Sequence, residues 1–148
     1  MSAKAQIFFS YAYKDEAYRD ALELHLSLLK RQGLVGGWHA RKILAGEDFA
    51  AVIDENLEAA NLILLLVSPN FIASDYCWEK EMMYALERHE AGTARVIPVF
   101  IRPCDWQTAP FAKIQGLPRN AMPVSKWSDA DEAWLNVAQG IRAVIEQV

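Results

Sequence analysis

The chain has 148 residues, of which 53% are hydrophobic and 23% charged, a composition typical of one compact domain with a substantial core. Its formal net charge of −4 disfavours a nucleic-acid partner or an anionic membrane surface, because both select clustered Lys and Arg. Two cysteines, no secretory signal pattern and no apolar run near the roughly 20 residues of a membrane span predict a reduced, cytoplasmic protein without a metal site.

Strand and helix signals alternate from the start of the chain. An apolar strand over residues 5–10 is followed by Asp15, which is expected to cap a helix that Gly33 ends in the left-handed conformation. A glycine-softened strand over residues 34–38 is expected at a sheet edge. A basic loop, residues 40–47, then leads to a second helix. The apolar positions of these two helices are Tyr18, Leu22, His25 or Leu26, and Leu29 in the first, and Phe49, Val52, Ile53 and Leu57 in the second.

The middle of the chain carries the strongest strand signal. Residues 62–67 are apolar without alternation, which predicts a central parallel strand covered on both faces. Ser74 or Asp75 is expected to cap a helix that runs to about His89. A fourth strand follows over residues 95–101.

The last third of the chain carries weaker strand signals. Pro98 lacks an N–H group, so the fourth strand is expected to be bulged or near an edge. Residues 122–124 are expected to form a minimal fifth strand. Asp129 opens a final helix, whose predicted buried stripe is Trp134, Val137, Ile141, Val144 and Val148.

This alternation predicts an α/β fold: a flavodoxin-like, doubly wound, five-stranded parallel sheet in the order 2-1-3-4-5 with helices on both faces. Residues 1–148 are interpreted as one domain, which can also be part of a longer chain. In such a sheet, ligands bind beyond the carboxyl ends of the strands, here at the turns of residues 10–14 and 68–70. Neither a G-x-G-x-x-G turn after the first strand nor a P-loop is present, which disfavours a Rossmann cofactor site and a P-loop NTPase.

The helix after the third strand offers two acids beside its apolar stripe. At 100° per residue, Glu79 and Glu81 flank that stripe on opposite sides. Periodicity alone does not choose between them, and a solvated edge residue is the ordinary role of such an acid. The stripe itself consists of Trp78, Met82, Ala85, Leu86 and His89.

Several segments in the same order resemble TIR (Toll/interleukin-1 receptor) domains of the bacterial type. The first is Ile7-Phe8-Phe9-Ser10-Tyr11 with Asp15, and the second is Phe71-Ile72-Ala73-Ser74-Asp75-Tyr76-Cys77-Trp78-Glu79-Lys80-Glu81-Met82. The loop of residues 41–48 is similar to the BB loop of that family. Ile97-Pro98-Val99 and residues 128–134 also match, so the resemblance covers essentially the whole chain.

The resemblance to NAD⁺-hydrolysing TIR domains implies that Glu81 is the catalytic acid and that NAD⁺ is a substrate rather than a cofactor. Trp38, Tyr11 or Trp78 would stack on a ring of the substrate, while Arg41 and Lys42 would either meet its diphosphate or form a solvated basic loop. Cys77 occupies a position where enzymatic members often carry Trp. The expected substrate-binding residues are Ser10, Tyr11, Ala12, Tyr13, Trp38, Arg41, Lys42, Cys77 and Trp78.

Two functions from different classes follow from the resemblance. The first is an NAD⁺ glycohydrolase or cyclase that releases nicotinamide with ADP-ribose or a cyclic isomer, and that is activated by TIR self-assembly in defence or cell-death signalling. The alternative is a non-catalytic adaptor that acts through TIR–TIR contacts of the BB loop. Glu81 favours the enzyme, because many scaffolding TIR domains lack that acid.

Overall fold

Four parallel strands form one sheet in the computed structural model, which describes residues 5–39 and 56–147, with residues 36–39 as backbone only. The spatial order is β2-β1-β3-β4, so that β1 and β3 lie inside the sheet. This order agrees with the first four positions of the predicted arrangement. The strands are β1 (Ala5–Ser10), β2 (Val35–His39), β3 (Leu62–Val67) and β4 (Arg95–Phe100).

The central strand is buried along its entire length, as its uninterrupted apolar sequence predicts. All six residues of β3 are at most 3% exposed, and β3 pairs with β1 on one side and β4 on the other. Successive side chains point to opposite faces of the sheet. Leu62, Leu64 and Leu66 therefore belong to one core layer, and Ile63, Leu65 and Val67 belong to the other.

Helices cover both faces of the sheet, which gives the doubly wound arrangement. The helices α1, α2 and α5 pack against the layer that contains Leu64, whereas α3, a π-helix and α4 cover the layer that contains Leu65. Their bounds are α1 (Glu16–His25), α2 (Ser27–Arg31), α3 (Pro69–Ala73), the π-helix (Tyr76–Met82), α4 (Met83–Ala91) and α5 (Ala130–Glu146). Three short 3₁₀ turns span Tyr13–Asp15, Arg119–Ala121 and Val124–Lys126.

The first predicted helix is interrupted at Leu26, which separates α1 from α2. Leu26 is fully buried, whereas His25 lies nearer the surface with its Nε2 3.3 Å from a carboxylate oxygen of Asp131. Of the two alternatives, Leu26 is therefore the core residue. Gly33 has a φ of 73°, which confirms the predicted left-handed position after this helical pair.

The expected strand over residues 122–124 is wrong. Val124 begins a 3₁₀ turn instead, and the described sheet ends at β4, where Pro98 occupies the expected edge strand. Two prolines, Pro118 and Pro123, remove the N–H groups that a ladder in this region would need. Among the described residues, strand-like pairing on the outer side of β4 is limited to Leu117. Its N–H donates to the Pro98 carbonyl at 2.9 Å, and its carbonyl accepts from the Phe100 N–H at 2.8 Å.

Parts of the second and last predicted helices lie outside the described residues. Residues 40–55 include the basic loop together with Phe49, Val52 and Ile53, and Val148 is the last residue of the chain. Leu57 is described and is 3% exposed, in agreement with its predicted place in the core.

Replacing Leu64 with Ala should lower the free energy of unfolding by about 3 kcal/mol, because Leu64 is completely buried and its truncation leaves a cavity beside the central strand. Urea denaturation followed by circular dichroism measures this change. Leu24→Ala is the matched control, since Leu24 on α1 is 72% exposed and its truncation should change stability by less than about 0.5 kcal/mol. Equal losses for the two variants would contradict the central position of β3.

Candidate functional site

The carboxyl ends of β1 and β3 lie side by side and carry buried hydroxyl groups. We call this end of the sheet, where the parallel strands finish, its carboxyl edge. Ser10, the last residue of β1, pairs in register with Leu65, and Ser68 follows β3 directly. Both serines are completely buried. Parallel α/β sheets bind their ligands at this edge, so these polar groups mark the first place to look for a site.

Glu81 lies beneath this edge with only 1% of its surface exposed. The Ser10 hydroxyl donates a hydrogen bond to Glu81 Oε1 at 2.8 Å, across 71 residues of sequence. A carboxylate is rarely buried without such a partner, because removing its charge from water is costly. The contact fixes the glutamate side chain against the end of β1.

A π-helix decides between the two acids that periodicity leaves open. The predicted regular helix from residue 74 or 75 to about His89 is replaced by the π-helix and α4, with i→i+5 bonding over Tyr76–Met82. Each residue therefore turns the chain by less than the 100° of an α-helix. Glu81 consequently points into the protein, while Glu79 is exposed.

A second contact fastens the π-helix to the turn after β1. The Cys77 thiol donates to the Tyr11 carbonyl with a separation of 3.2 Å, and Cys77 is 2% exposed. The Cys77 N–H in turn donates to the Ser74 hydroxyl at 3.2 Å. Cys77 and Glu81 thus contact consecutive residues of one turn, and the acid is held in place from two sides.

The predicted aromatic residues occupy different surroundings. Tyr11 is 4% exposed and belongs to the core layer of α1 and α5, whereas Tyr13 is 80% exposed at the same turn. Ala12 between them is 7% exposed. Trp78 is half-buried and meets the Phe111 ring edge-on, with a centroid distance of 6.5 Å.

The structure thus brings Ser10, Tyr11, Cys77 and Glu81 together at the end of β1. The side chain of Trp38 and both Arg41 and Lys42 lie outside the described residues. Trp106 packs against the end of β4, with its ring centroid 4.5 Å from that of Phe100.

A second buried carboxylate lies at the same edge, and sequence reasoning missed its role. Asp15 is 1% exposed and makes no side-chain hydrogen bond to the start of α1, although a cap was the expected role. It accepts instead from the Ser68 hydroxyl and, at 3.2 Å, from the Asn70 amide. Arg102 Nη1 lies 3.7 Å from the other side of this group, at Asp15 Oδ1. The sequence signal that could have found this contact is Ser68, a polar residue that directly follows the buried strand β3.

The surroundings of Cys104, near the end of β4, disfavour its thiolate form. Burial raises the pKa of Cys104 above its ordinary value, the Asp105 carboxylate raises it further, and Arg102 opposes both effects. The thiol therefore stays protonated at neutral pH, and thiolate chemistry is disfavoured here.

A separate cleft of about 480 Å³ lies away from both carboxylates. It opens at the amino end of β4, and His89 on its wall accepts a hydrogen bond from the Val96 N–H at 3.0 Å. None of the described residues that line this cleft is a buried acid or a nucleophile. We therefore place the candidate chemistry at the opposite, carboxyl edge of the sheet. The lining includes His89, Arg95, Lys113, Leu117, Gly140 and Val144.

Comparison with known proteins identifies the family. The sequence profile described as "TIR domain" matches residues 7–136, and the chain belongs to that family. It is 51% identical over 142 residues to an uncharacterized protein, y4lF, of Sinorhizobium fredii. That match covers 96% of this chain but only 44% of y4lF, so the chain spans less than half the length of this relative.

Two solved structures show the same fold at low sequence identity. The TIR domain of the Toll-related receptor TRR-2 from Hydra magnipapillata gives a TM-score of 0.68 at 20% identity, with 97% of this chain and 99% of that chain covered. The TIR domains of the activated Roq1 resistosome, which directly recognises the pathogen effector XopQ, give 0.55 at 18% identity, with 99% of each chain covered. Within residues 5–39 and 56–147, no helix is long and apolar enough to cross a membrane, and no cluster of three metal-ligating side chains occurs.

The Ser10–Glu81 hydrogen bond should appear as a coupling energy. Ser10→Ala should cost about 1.5–3 kcal/mol of stability, because it withdraws a donor from a buried acidic group. In a Glu81→Met background the stability cost of Ser10→Ala should be smaller by about 1 kcal/mol or more, since no carboxylate remains to accept the hydrogen bond. Urea denaturation of the wild type, the two single variants and the double variant measures the difference, and strictly additive costs would contradict the contact.

Proposed function

We propose that this TIR domain, of the bacterial type, cleaves the nicotinamide–ribose bond of NAD⁺ with Glu81 as its catalytic carboxylate. The observation that carries the proposal is the burial of Glu81 at the ligand-binding edge of the sheet, with Ser10 bonded to one of its oxygens. Nicotinamide leaves, and the ribose carbon is captured either by water, which gives ADP-ribose and a proton, or by a nucleophilic atom of the same molecule, which gives a cyclic isomer. The proposed setting is the cytoplasm.

The chemistry of NAD⁺ explains why one carboxylate is enough. The nicotinamide ring is already cationic while it is attached to ribose, so it leaves as a neutral base and needs no proton. Ordinary glycosides require two carboxyl groups, because one of them must protonate the leaving oxygen. Glu81 can therefore act on NAD⁺ without a second carboxyl group as general acid, which a neutral glycoside would require.

Glu81 acts in this scheme through its negative charge. As the bond to nicotinamide breaks, positive charge develops on the ribose, and an anion fixed beside it stabilises that transition state more strongly in a dry crevice than in water. The Ser10 hydroxyl holds the carboxylate in orientation, so little rearrangement is needed during the reaction. The same carboxylate is also suited to bind the ribose hydroxyls.

Other residues of the turn and the neighbouring loop would bind the substrate. Exposed Tyr13 and half-buried Trp78 offer ring surfaces for stacking, and Trp38 is a third candidate from the sequence. Arg41 and Lys42 are candidates for the diphosphate. Tyr11, Ala12 and Cys77 would shape the turn rather than contact the reacting atoms.

Glu81→Gln should abolish nicotinamide release, since the amide keeps the shape of the side chain but removes its charge. Glu79→Gln should retain activity within about twofold, because Glu79 is exposed on the outer side of the same helix. Nicotinamide release from NAD⁺ at high protein concentration, followed by liquid chromatography, gives the comparison. Circular dichroism confirms that both variants are folded.

The opposite pattern, with Glu79→Gln inactive and Glu81→Gln active, would overturn the assignment of the acid. If the wild type itself releases no nicotinamide with or without a crowding agent, the adaptor alternative is favoured. The likeness to TIR domains of an activated resistosome supports that alternative too, since an assembly can signal by contact alone.

Self-association is the second part of the proposal. The TIR domains of the activated Roq1 resistosome belong to an assembly, and we infer that this chain likewise acts in defence or cell-death signalling through TIR–TIR contacts that involve residues 40–47. In this proposal the active form is the assembly, so its population depends on protein concentration.

Nicotinamide release per molecule should therefore rise with protein concentration. Charge reversal at Arg41 or Lys42 should weaken that dependence, while reversal at Lys126, an exposed residue of the last 3₁₀ turn, should leave it unchanged. Initial rates from nanomolar to tens of micromolar protein provide the measurement. A flat specific activity over that range would show that one subunit is sufficient.

A further inference from the structure

Arg102 is a half-exposed cation that a buried carboxylate holds at the carboxyl end of β4. Its side chain is 39% exposed, and its Nη1 lies 3.7 Å from Asp15 Oδ1. Asp15 is itself fixed by the Ser68 hydroxyl and the Asn70 amide, both from the segment that follows β3. The arginine is therefore held toward the edge of the sheet instead of moving freely in solvent.

The exposed part of the Arg102 side chain is available to a ligand. Arginine has five N–H donors in a rigid plane, and only one nitrogen faces Asp15. The other nitrogens make no hydrogen bond to the described part of the chain. A planar, permanently charged fork of donors is well suited to bind a phosphate through two parallel hydrogen bonds.

Arg102 and Glu81 share one edge and one connecting turn. Glu81 contacts Ser10 and Arg102 contacts Asp15, so the turn of residues 10–15 links the two groups. Neighbouring strands lie about 4.8 Å apart, and β1 and β4 are two positions apart, so their carboxyl ends are separated by about 10 Å. That separation suits a ligand whose ribose lies at Glu81 and whose phosphates lie farther along the edge.

We propose that Arg102 binds a phosphate of a diphosphate-bearing nucleotide at this edge, with Asp15 as its positioning residue. The proposal rests on the proposed function, because it assigns the diphosphate of the dinucleotide that Glu81 would cleave. It differs from the sequence expectation, which gave that role to Arg41 and Lys42. In a chain of net charge −4, a cation fixed at the ligand edge favours the approach of such an anion.

Binding of ADP-ribose, measured by isothermal titration calorimetry, tests the proposal without requiring turnover. Arg102→Gln should weaken ADP-ribose binding about tenfold or more, which corresponds to the loss of a hydrogen bond between charged groups. Arg102→Lys should give an intermediate loss, since it keeps the charge but not the fork. Arg95→Gln is the matched control, because Arg95 is an exposed arginine at the opposite end of the same strand and should bind within about twofold of the wild type.

Adenosine, which lacks phosphates, separates phosphate binding from a change in the fold. Its affinity should be unaltered by Arg102→Gln, whereas an equal loss for ADP-ribose and adenosine would overturn the proposal. In an Asp15→Asn background the further effect of Arg102→Gln should shrink, because the arginine is no longer oriented. If the Arg102–Asp15 pair has only a structural role, Arg102→Gln will lower the melting temperature and leave the affinity for ADP-ribose unchanged. That result would also overturn the proposal.

The result is distinguishable from failure of the proposed function. If ADP-ribose binds in an Arg102-dependent way but NAD⁺ is not cleaved, the phosphate site stands and the catalytic assignment falls. If NAD⁺ is cleaved in a Glu81-dependent way and Arg102→Gln leaves both ADP-ribose affinity and the KM for NAD⁺ unchanged, Arg102 has no such role. Absence of ADP-ribose binding by the wild type overturns the phosphate site outright.

Discussion

The hydrogen bond from Ser10 to Glu81 is the interaction on which the candidate site depends. It joins the end of an inner strand to a helix 71 residues away and supplies a donor to an acidic group with 1% exposure. Without such a donor, the desolvation of a carboxylate works against folding. The thiol of Cys77 on the Tyr11 carbonyl repeats the attachment one residue later, so the turn and the helix are positioned together.

A second acid makes the same edge unusual in its electrostatics. Asp15 is as buried as Glu81, and a hydroxyl, an amide and a guanidinium lie around its oxygens. The Arg102 guanidinium lies beside Asp15, and the Ser10 hydroxyl donates to Glu81. This edge therefore carries both a buried acidic side chain, Glu81, and a partly exposed cation, Arg102.

Sequence predicts the parts of this protein that depend on burial alone. The apolar run of β3 indicates a central strand because only a strand covered on both faces tolerates it, and the structure confirms this. Residues 122–124 mislead because Met122 and Val124 satisfy a strand pattern, although Pro123 between them lacks the N–H group of a strand. Periodicity leaves Glu79 and Glu81 equivalent because it assumes an α-helix. Asp15 looks like an ordinary helix cap, since its partners Ser68, Asn70 and Arg102 are distant in sequence.

The π-helix has a consequence for comparing this chain with its relatives. A π-helix differs from an α-helix by the extra residue that each wider turn accommodates. Loss of a single residue between Tyr76 and Met82 would restore regular turns and rotate the following side chains around the helix axis. Such a relative would keep the glutamate in its sequence and turn it away from the crevice, so the number of residues in this segment matters as much as the presence of the acid.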